Sequence, residues 1–493
     1  MKQGATSMNK KRISWTWLPL VAALVLAGCA TPPPVELKLD TQVQFKEQAQ
    51  GPQAKAGTPA AVPADARWWS AFSDPVLDQL IERAARNNTD VQQAAARLAQ
   101  ARALAREVDS DRSPQVGLGA SANRGAGLDR AQGSTKPANL FTAGLAASYE
   151  VDLFGRLAGA SKAASLDADS RAALLQSARL AVQSEVAQLY LAVRALDAER
   201  EIMRDTVQAY RNTLDITERR NRAGDLGELD VARVRTELAA TEADALAVER
   251  NRALVEHALA VVLGEVASTF SLPAEDWKTA LPAIPAGLPS TMLARRPDVL
   301  SAQKTVLAAQ ERVGVAQTAW FPTIALTASG GYASPDLSDL LKWSARSWGV
   351  GALLSLPILD GGRREAGVQG ANAQFDEQMA AYRQQVLVAF REVEDQLSSL
   401  RLLAEQSAVQ DQAVASARRA SSLSDVRYRN GAIGQLDLLD ARRTELQNRR
   451  QALLVKALQY QATVGLVRAL GGGWGEATSV SKEGASPARS GQS

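Results

Sequence analysis

The same structural sentence is written twice in this chain, about 207 residues apart, and each copy turns on a Gly-x5-Asp segment between long stretches without breakers. The first copy reads Arg222-Ala-Gly-Asp-Leu-Gly-Glu-Leu-Asp230 and the second Arg429-Asn-Gly-Ala-Ile-Gly-Gln-Leu-Asp437. Upstream, Ser113-Pro114-Gln115-Val116 corresponds to Phe321-Pro322-Thr323-Ile324, and Val151-Asp-Leu-Phe-Gly-Arg156 to Leu356-Pro-Ile-Leu-Asp-Gly-Gly-Arg363. Solenoid units repeat every ~20–50 residues, and this period is far longer. The chain is a duplicated half-domain, so its fold should be pseudo-symmetric.

Each half is built around one very long helix. From Leu157 to Arg222 there is no proline and scarcely a glycine. Leu175, Ala178, Val182, Val186, Leu189, Val193 and Leu196 recur about every 3.5 residues, the coiled-coil period. Some ~65 residues at 1.5 Å each predict a helix of ~100 Å. Glu365 to Tyr428 repeats the design, and shorter helices return over 228–264 and 435–470. Trp68-Trp69-x-x-Phe72-x-Asp74-Pro75 opens an earlier helix running unbroken to about Asp111.

Between these helices lie stretches of period-two alternation, two strands in each copy. Phe141, Ala143, Leu145, Ala147, Tyr149 and Val151 form one face, and Thr142, Gly144, Ala146, Ser148, Glu150 and Asp152 the other. Ile324, Leu326, Ala328 and Tyr332 alternate with Thr323, Thr327 and Ser329, and Trp348, Val350, Ala352, Leu354, Leu356 and Ile358 form a further apolar series. Strands of ~10 residues with aromatic ends suit a membrane barrel; a soluble two-sided sheet is the other reading of the same pattern.

The N-terminus supplies an address. Lys10-Lys11-Arg12, an apolar run from Ile13 to Ala27 and then Leu26-Ala27-Gly28-Cys29 form a secretory signal. Its end resembles the lipobox of bacterial lipoproteins, with Ala30 rather than an outer-membrane-avoiding Asp. Cys29 is the only cysteine, so no intramolecular disulfide exists, and an N-acyl, S-diacylglycerol anchor is its economical role. Cleavage before Cys29 removes Lys2, Lys10, Lys11 and Arg12, four bases and no acid, taking the formal charge from +3 to −1. With Arg and acids interleaved along helices, no nucleic-acid footprint is present. No later apolar run reaches the ~20 residues of a membrane helix, so any membrane crossing must use strands. Residues 1–28 thus read as signal peptide, 29–66 as an acylated extended tether, 67–264 as the first repeat, 265–296 as an irregular insertion, 297–470 as the second repeat and 471–493 as a disordered tail.

Two strand pairs per chain cannot close a barrel, and open edges in lipid are prohibitive. Three copies would give twelve strands. Here the chain resembles the TolC family of outer-membrane efflux channels, and within it the NodT-like lipoprotein branch serving tripartite pumps of the resistance-nodulation-division type. The resemblance rests on Trp68-Trp69 with Asp74-Pro75, Tyr149-Glu-Val-Asp-Leu-Phe-Gly-Arg156, Leu293-Ala-Arg-Arg-Pro-Asp298, Ala319-Trp-Phe-Pro-Thr-Ile324, Leu356-Pro-Ile-Leu-Asp-Gly-Gly-Arg363 and both Gly-x5-Asp turns, and covers residues 60–470. It implies an α+β membrane protein: a homotrimer with a twelve-stranded transmembrane β-barrel, four strands per chain, continued by a long α-helical coiled-coil barrel into the periplasm. It also implies a periplasmic adaptor (membrane fusion) protein and an inner-membrane pump as partners.

The resemblance places a closed constriction at the helix tips. Leu436, Asp437 and Asp440 match a gate, Asp437 and Asp440 being three apart on one helical face. Tyr428 matches a tyrosine that latches onto the helix carrying Asp230. The family's accompanying arginine is replaced by Ile433, with Arg429 nearby. The plain alternative for Asp230, Asp437 and Asp440 is a helix-start role, where negative charge is favoured. Gly224, Leu226, Gly431 and Ile433 stand at the tips, where an adaptor would dock. His257 reads as structural, and Arg295-Arg296 as a solvated helix start. One His, one Cys and five Met form no metal cluster, and no phosphate loop or nucleophile elbow is present.

The expected function is a passive outer-membrane exit channel for small toxic compounds, not an enzyme, with no cofactor beyond the lipid. An outer-membrane channel for ABC-driven type I protein secretion would share the fold. A lipid-anchored coiled-coil scaffold without a pore is the third possibility.

Overall fold

The computed structural model describes residues 45–47, 67–126, 137–284 and 295–472. Its helices are α1 Pro75–Asn87, α2 Thr89–Ser110, α3 Arg156–Arg222, α4 Glu228–Val262, α5 Pro297–Gln317, α6 Arg363–Arg429 and α7 Gln435–Ala469. Its strands are β1 Gln115–Gly125, β2 Ala138–Val151, β3 Thr323–Ser334 and β4 Arg346–Ser355. The duplication is exact in length: α3 and α6 each have 67 residues, and α4 and α7 each have 35. At 1.5 Å per residue the long pair measure about 100 Å each. The chain divides into two compact units.

The unit containing Arg102–Asp167 and Val306–Gln378 holds a four-stranded antiparallel sheet in the order β1-β2-β3-β4. Directly opposed residues share a face, so the register sorts the side chains. Leu118 faces Leu145, Ala143 faces Tyr332, Ala147 faces Ala328, and Ala328 faces Val350. One apolar face therefore runs across all four strands. The other carries Ser121 and Thr142, whose hydroxyl oxygens are 2.8 Å apart, with Ser148 opposite Thr327. Gly144 and Gly331 are directly opposed between β2 and β3. A Cβ on Gly144 would lie 2.7 Å from the Gly330 carbonyl oxygen, and one on Gly331 would overlap that of Ala143.

The alternation expected to reach Ile358 stops as a strand at Ser355. Pro357 offers no N–H to a ladder, and Ile358 is 90% exposed. The turns into the long helices are capped by aspartates. Asp152 accepts from the N–H groups of Leu157 and Ala158, and Asp360 from those of Gly362 and Arg364. Phe154 of the first repeat and Phe321 of the second, from two different repeated motifs, stack with ring centroids 4.7 Å apart.

The second unit includes Lys38–Ala101, Ala168–Thr305 and Met379–Ser493. The heptad positions of α3 are buried or half-buried as the periodicity predicted. Asp74 organises the core around the Trp68 motif. One oxygen accepts from the Val76 and Leu77 N–H groups, capping α1, while the other accepts from the hydroxyls of Tyr190 and Thr279, both at 2.7 Å.

Three expectations change. The helix expected from Trp68 to Asp111 is broken: a 3-10 turn spans Trp68–Phe72, and α1 and α2 part at Asn88. The Asn88 side chain accepts from the Asp90 and Val91 N–H groups and donates to the Val262 carbonyl, an N-cap that competes with helix continuation. Arg296 is not solvated; it is 5% exposed, paired with Asp298 at 2.6 Å and Glu392 at 2.7 Å, and donates to the Ala469 carbonyl. Burial alone would raise the Asp298 carboxyl, yet Arg296 beside it holds it below the ordinary carboxylate range. Within the expected tether, Phe45 is buried. His257 is exposed on α4. Among the described residues no helix is long and apolar enough to cross a membrane.

Candidate functional site

Both tips are built the same way. Gly224, at φ +84, follows α3, and the N–H groups of Gly224 and Asp225 return to the carbonyls of Asn221 and Arg220. Gly431, at φ +75, follows α6, and Gly431 and Ala432 return to Tyr428 and Arg427. These are Schellman closures, which need a residue at ease in the left-handed region. Residues 223–227 and 430–434 complete the links, and Gly227 and Gly434 precede the return helices. Gly224 and Gly431 are exposed, whereas Leu226 and Ile433 are half-buried.

Four helices meet at a buried polar knot. Tyr428 on α6 is 2% exposed, and its hydroxyl lies 3.3 Å from Thr217 Oγ1 on α3. The Arg220 guanidinium stands 5.5 Å over the same ring, within cation–π range. Gln435 on α7 donates to Thr217 Oγ1 at 3.5 Å and to the Asp230 backbone carbonyl on α4 at 3.2 Å. The latch thus differs from expectation within the chain: Tyr428 bonds to α3, and Gln435 supplies the link to Asp230. The Asp230 carboxylate instead lies 3.6 Å from Arg233.

Below the knot, Arg442 joins α7 to both long helices. It pairs with Asp425 at 2.7 Å and donates to Thr213 Oγ1 and the Ala209 carbonyl. Tyr210, Val234 and Leu439 form an apolar cluster beside it. Burial, with Glu237 adding to it, pushes the Tyr210 hydroxyl up to about 12.

Leu436 is 57% exposed, and Asp437 and Asp440 are exposed one turn along the same helix. Neither carboxylate is in a salt bridge among the described residues. The structure therefore brings Tyr428 and the Asp230 backbone into one knot and leaves Leu436, Asp437 and Asp440 on an open face. Thr217, Arg220, Gln435 and Arg442 were missed by sequence reasoning. Gln435 carried one signal, a polar residue beginning a helix straight after the duplicated turn. Cys29 lies outside the described residues. Among those residues, no His, Cys, Asp and Glu cluster could hold a metal ion.

The sequence matches the family described as outer membrane efflux protein over residues 80–265 and again over 288–472. It is 33% identical over 472 residues to the pyoverdine export outer membrane protein OpmQ of Pseudomonas putida, covering 93% of this chain and 97% of that one. It is 34% identical over 464 residues to the solvent efflux pump outer membrane protein SrpC of Pseudomonas putida, covering 93% and 98%. Among solved structures, the outer-membrane channel OprN superposes with a TM-score of 0.83 at 29% identity, covering 90% of this chain and 100% of that one.

Proposed function

The chain belongs to the outer membrane efflux protein family, and from that premise we propose that three copies close one twelve-stranded barrel through which small toxic compounds leave the periplasm. It is an outer-membrane efflux channel. Full-length relatives named for pyoverdine export and solvent efflux favour that role over protein secretion.

The observation that carries the trimer is the sheet: four strands, one continuous apolar face, and two unpaired edges at β1 and β4. Unpaired edges are untenable in hydrocarbon, and three sheets joined edge to edge remove them. Leu145, Ala147 and Leu354 then face lipid, and Thr142 and Ser148 face the lumen. Native mass spectrometry in detergent tests this, with three chains per particle expected; a stable folded monomer would refute it. Leu145→Arg should cost about 2–4 kcal/mol of barrel stability, and an unchanged stability in that variant would count against the assigned face.

Leu436, Asp437 and Asp440 form the constriction, supported by their exposure on one helix face beside a buried lock. Threefold symmetry would place six carboxylates in stacked rings, as in cation-preferring pores. Tyr428, Thr217, Gln435 and the Asp230 carbonyl hold the tips closed. An adaptor docks at Gly224, Leu226, Gly431 and Ile433, joined to an inner-membrane pump of the resistance-nodulation-division type. Cys29 carries the acyl anchor in the outer membrane, and mass spectrometry of the mature N-terminal peptide tests it.

A further inference from the structure

Two arginine–tryptophan pairs bracket β3, one toward each end. Near its start, the Arg364 guanidinium stands 4.6 Å over the Trp320 ring. Near its far end, the Arg346 guanidinium stands 4.6 Å over the Trp343 ring. β3 has 12 residues, which at ~3.3 Å each and a ~45° tilt rise ~28 Å, close to the ~25 Å apolar band of a barrel wall. In the barrel proposed above, the two pairs stand at the two membrane surfaces.

The pairs differ in charge. Arg364 is neutralised on the spot: its Nε donates to Asp360 at 2.6 Å, and the two side chains are only 14% and 18% exposed. Arg346 has no such partner. In the connection between β3 and β4, Lys342 pairs with Asp339 at 2.7 Å, and among the described residues neither Arg346 nor Asp336 is in a salt bridge. The surroundings of Arg346 are apolar. It is directly opposite Tyr332, and Trp348 is opposite Gly330, on the face that continues through Ala328 and Val350. Trp343, Trp348 and Leu341 are all exposed. An aromatic rim is common to membrane barrels. A guanidinium laid on that rim with no acid beside it is a further feature, since its fork of donors is left open to an anion that the chain does not supply.

We infer that Arg346, seated on Trp343 and flanked by Trp348 and Tyr332, holds the phosphate of an outer-leaflet lipid against the barrel wall. The inference rests on the barrel reading and names the lipid chemistry that its outer rim takes. Direction follows from topology: α6 begins beyond the other end of β4 and runs into the periplasm, so the β3–β4 connection faces outward. Arginine suits the role, because its planar fork matches phosphate oxygens while its face stacks on an aromatic ring. Tryptophan favours the headgroup level.

Native mass spectrometry of the full-length protein in detergent tests the seat, with didecanoyl phosphatidic acid titrated against phosphatidylcholine of the same chain length. Each chain should retain one phosphatidic acid at concentrations where phosphatidylcholine is not retained. Arg346→Gln should weaken that retention roughly tenfold, and Trp343→Ala by a smaller factor. Arg124 extends the same sheet face at the end of β1 with no ring contact among the described residues, so Arg124→Gln should change retention little. Equal retention of both lipids, or Arg346→Gln no weaker than Arg124→Gln, would overturn the seat. Displacement by inorganic phosphate at the same concentration would overturn its assignment to lipid. The particle mass in the same spectra reads the barrel separately. Trimers without selective retention would sink the seat alone, whereas folded monomers would remove the barrel and with it the outer-leaflet placement.

Discussion

At the first tip the return helix begins Glu228-Leu229-Asp230, with Arg233 one turn on; at the second it begins Gln435-Leu436-Asp437, with Asp440 in place of that arginine. The backbones scarcely differ, since each long helix closes on a left-handed glycine and crosses five residues to its partner. The side chains differ in charge and depth. Arg233 balances Asp230, whereas Asp437 and Asp440 stay exposed with no balancing bridge among the described residues. Arg235–Glu218 and Arg442–Asp425 are equivalent pairs, but their side chains are 57% and 37% exposed at the first tip, against 14% and 23% at the second. Duplication supplied one scaffold. The second tip alone combines an exposed acidic face that makes no salt bridge among the described residues with buried contacts that hold it to α3.

The largest effect should come from Arg442. Its removal leaves Asp425 with the exposed Arg429 as its remaining ion-pair partner and the Ala209 carbonyl with the Thr213 hydroxyl, and it cuts the tie between α7 and both long helices, at a cost of about 1–3 kcal/mol. Arg442→Ala should lower the thermal midpoint of the detergent-solubilised protein by several degrees, while Arg235→Ala leaves it almost unchanged. Equal shifts would break the comparison.

Gly224→Ala and Gly431→Ala sharpen it from the other side. No atom lies within 4 Å of either added Cβ, so only the backbone pays, about 1 kcal/mol in each case. Matching losses in denaturant midpoints are expected; a larger loss at one tip would mean that the backbones are not equivalent.

Asp437→Ala with Asp440→Ala should modestly raise single-channel conductance and weaken cation selectivity and block by divalent ions, all read in planar bilayers. Asp230→Ala should change selectivity little. Unchanged divalent block in the double variant would reduce those aspartates to helix starters. The smallest effect belongs to Tyr428→Phe, which loses one 3.3 Å contact to Thr217 but keeps Arg220 over the ring. It should cost under ~1 kcal/mol and increase opening events with selectivity unaltered.

What could be read in advance follows from how each feature is encoded. The long helices are local: an unbroken apolar period and a glycine at each end define them, so their ends fell within a residue or two of expectation. The sheet faces were also legible, because period-two alternation fixes the face once strands pair. Asn88 was not, since its helix-breaking role depends on reaching the Val262 carbonyl far along the chain. Arg296 was misread for a related reason. A charged residue before Pro297 looks solvated until Glu392 and the Ala469 carbonyl are brought to it by the fold. At the tips, the glycines and aspartates announced themselves by repetition. Thr217 and Gln435 did not, because their counterparts Ser424 and Glu228 are different residues.

The equal lengths of α3 and α6, and of α4 and α7, also constrain how such a chain can evolve. Deleting a single residue from one long helix would draw its tip back by about 1.5 Å and turn it by about 100°. Tyr428 would then miss Thr217, and Gln435 would miss Asp230. Only compensated changes, one in each of the four helices, would keep both tips level. Steps of seven residues would be tolerated best, since a heptad departs from whole helical turns by only about 20°. Lineages with longer or shorter periplasmic reach should therefore differ by insertions that come in matched sets.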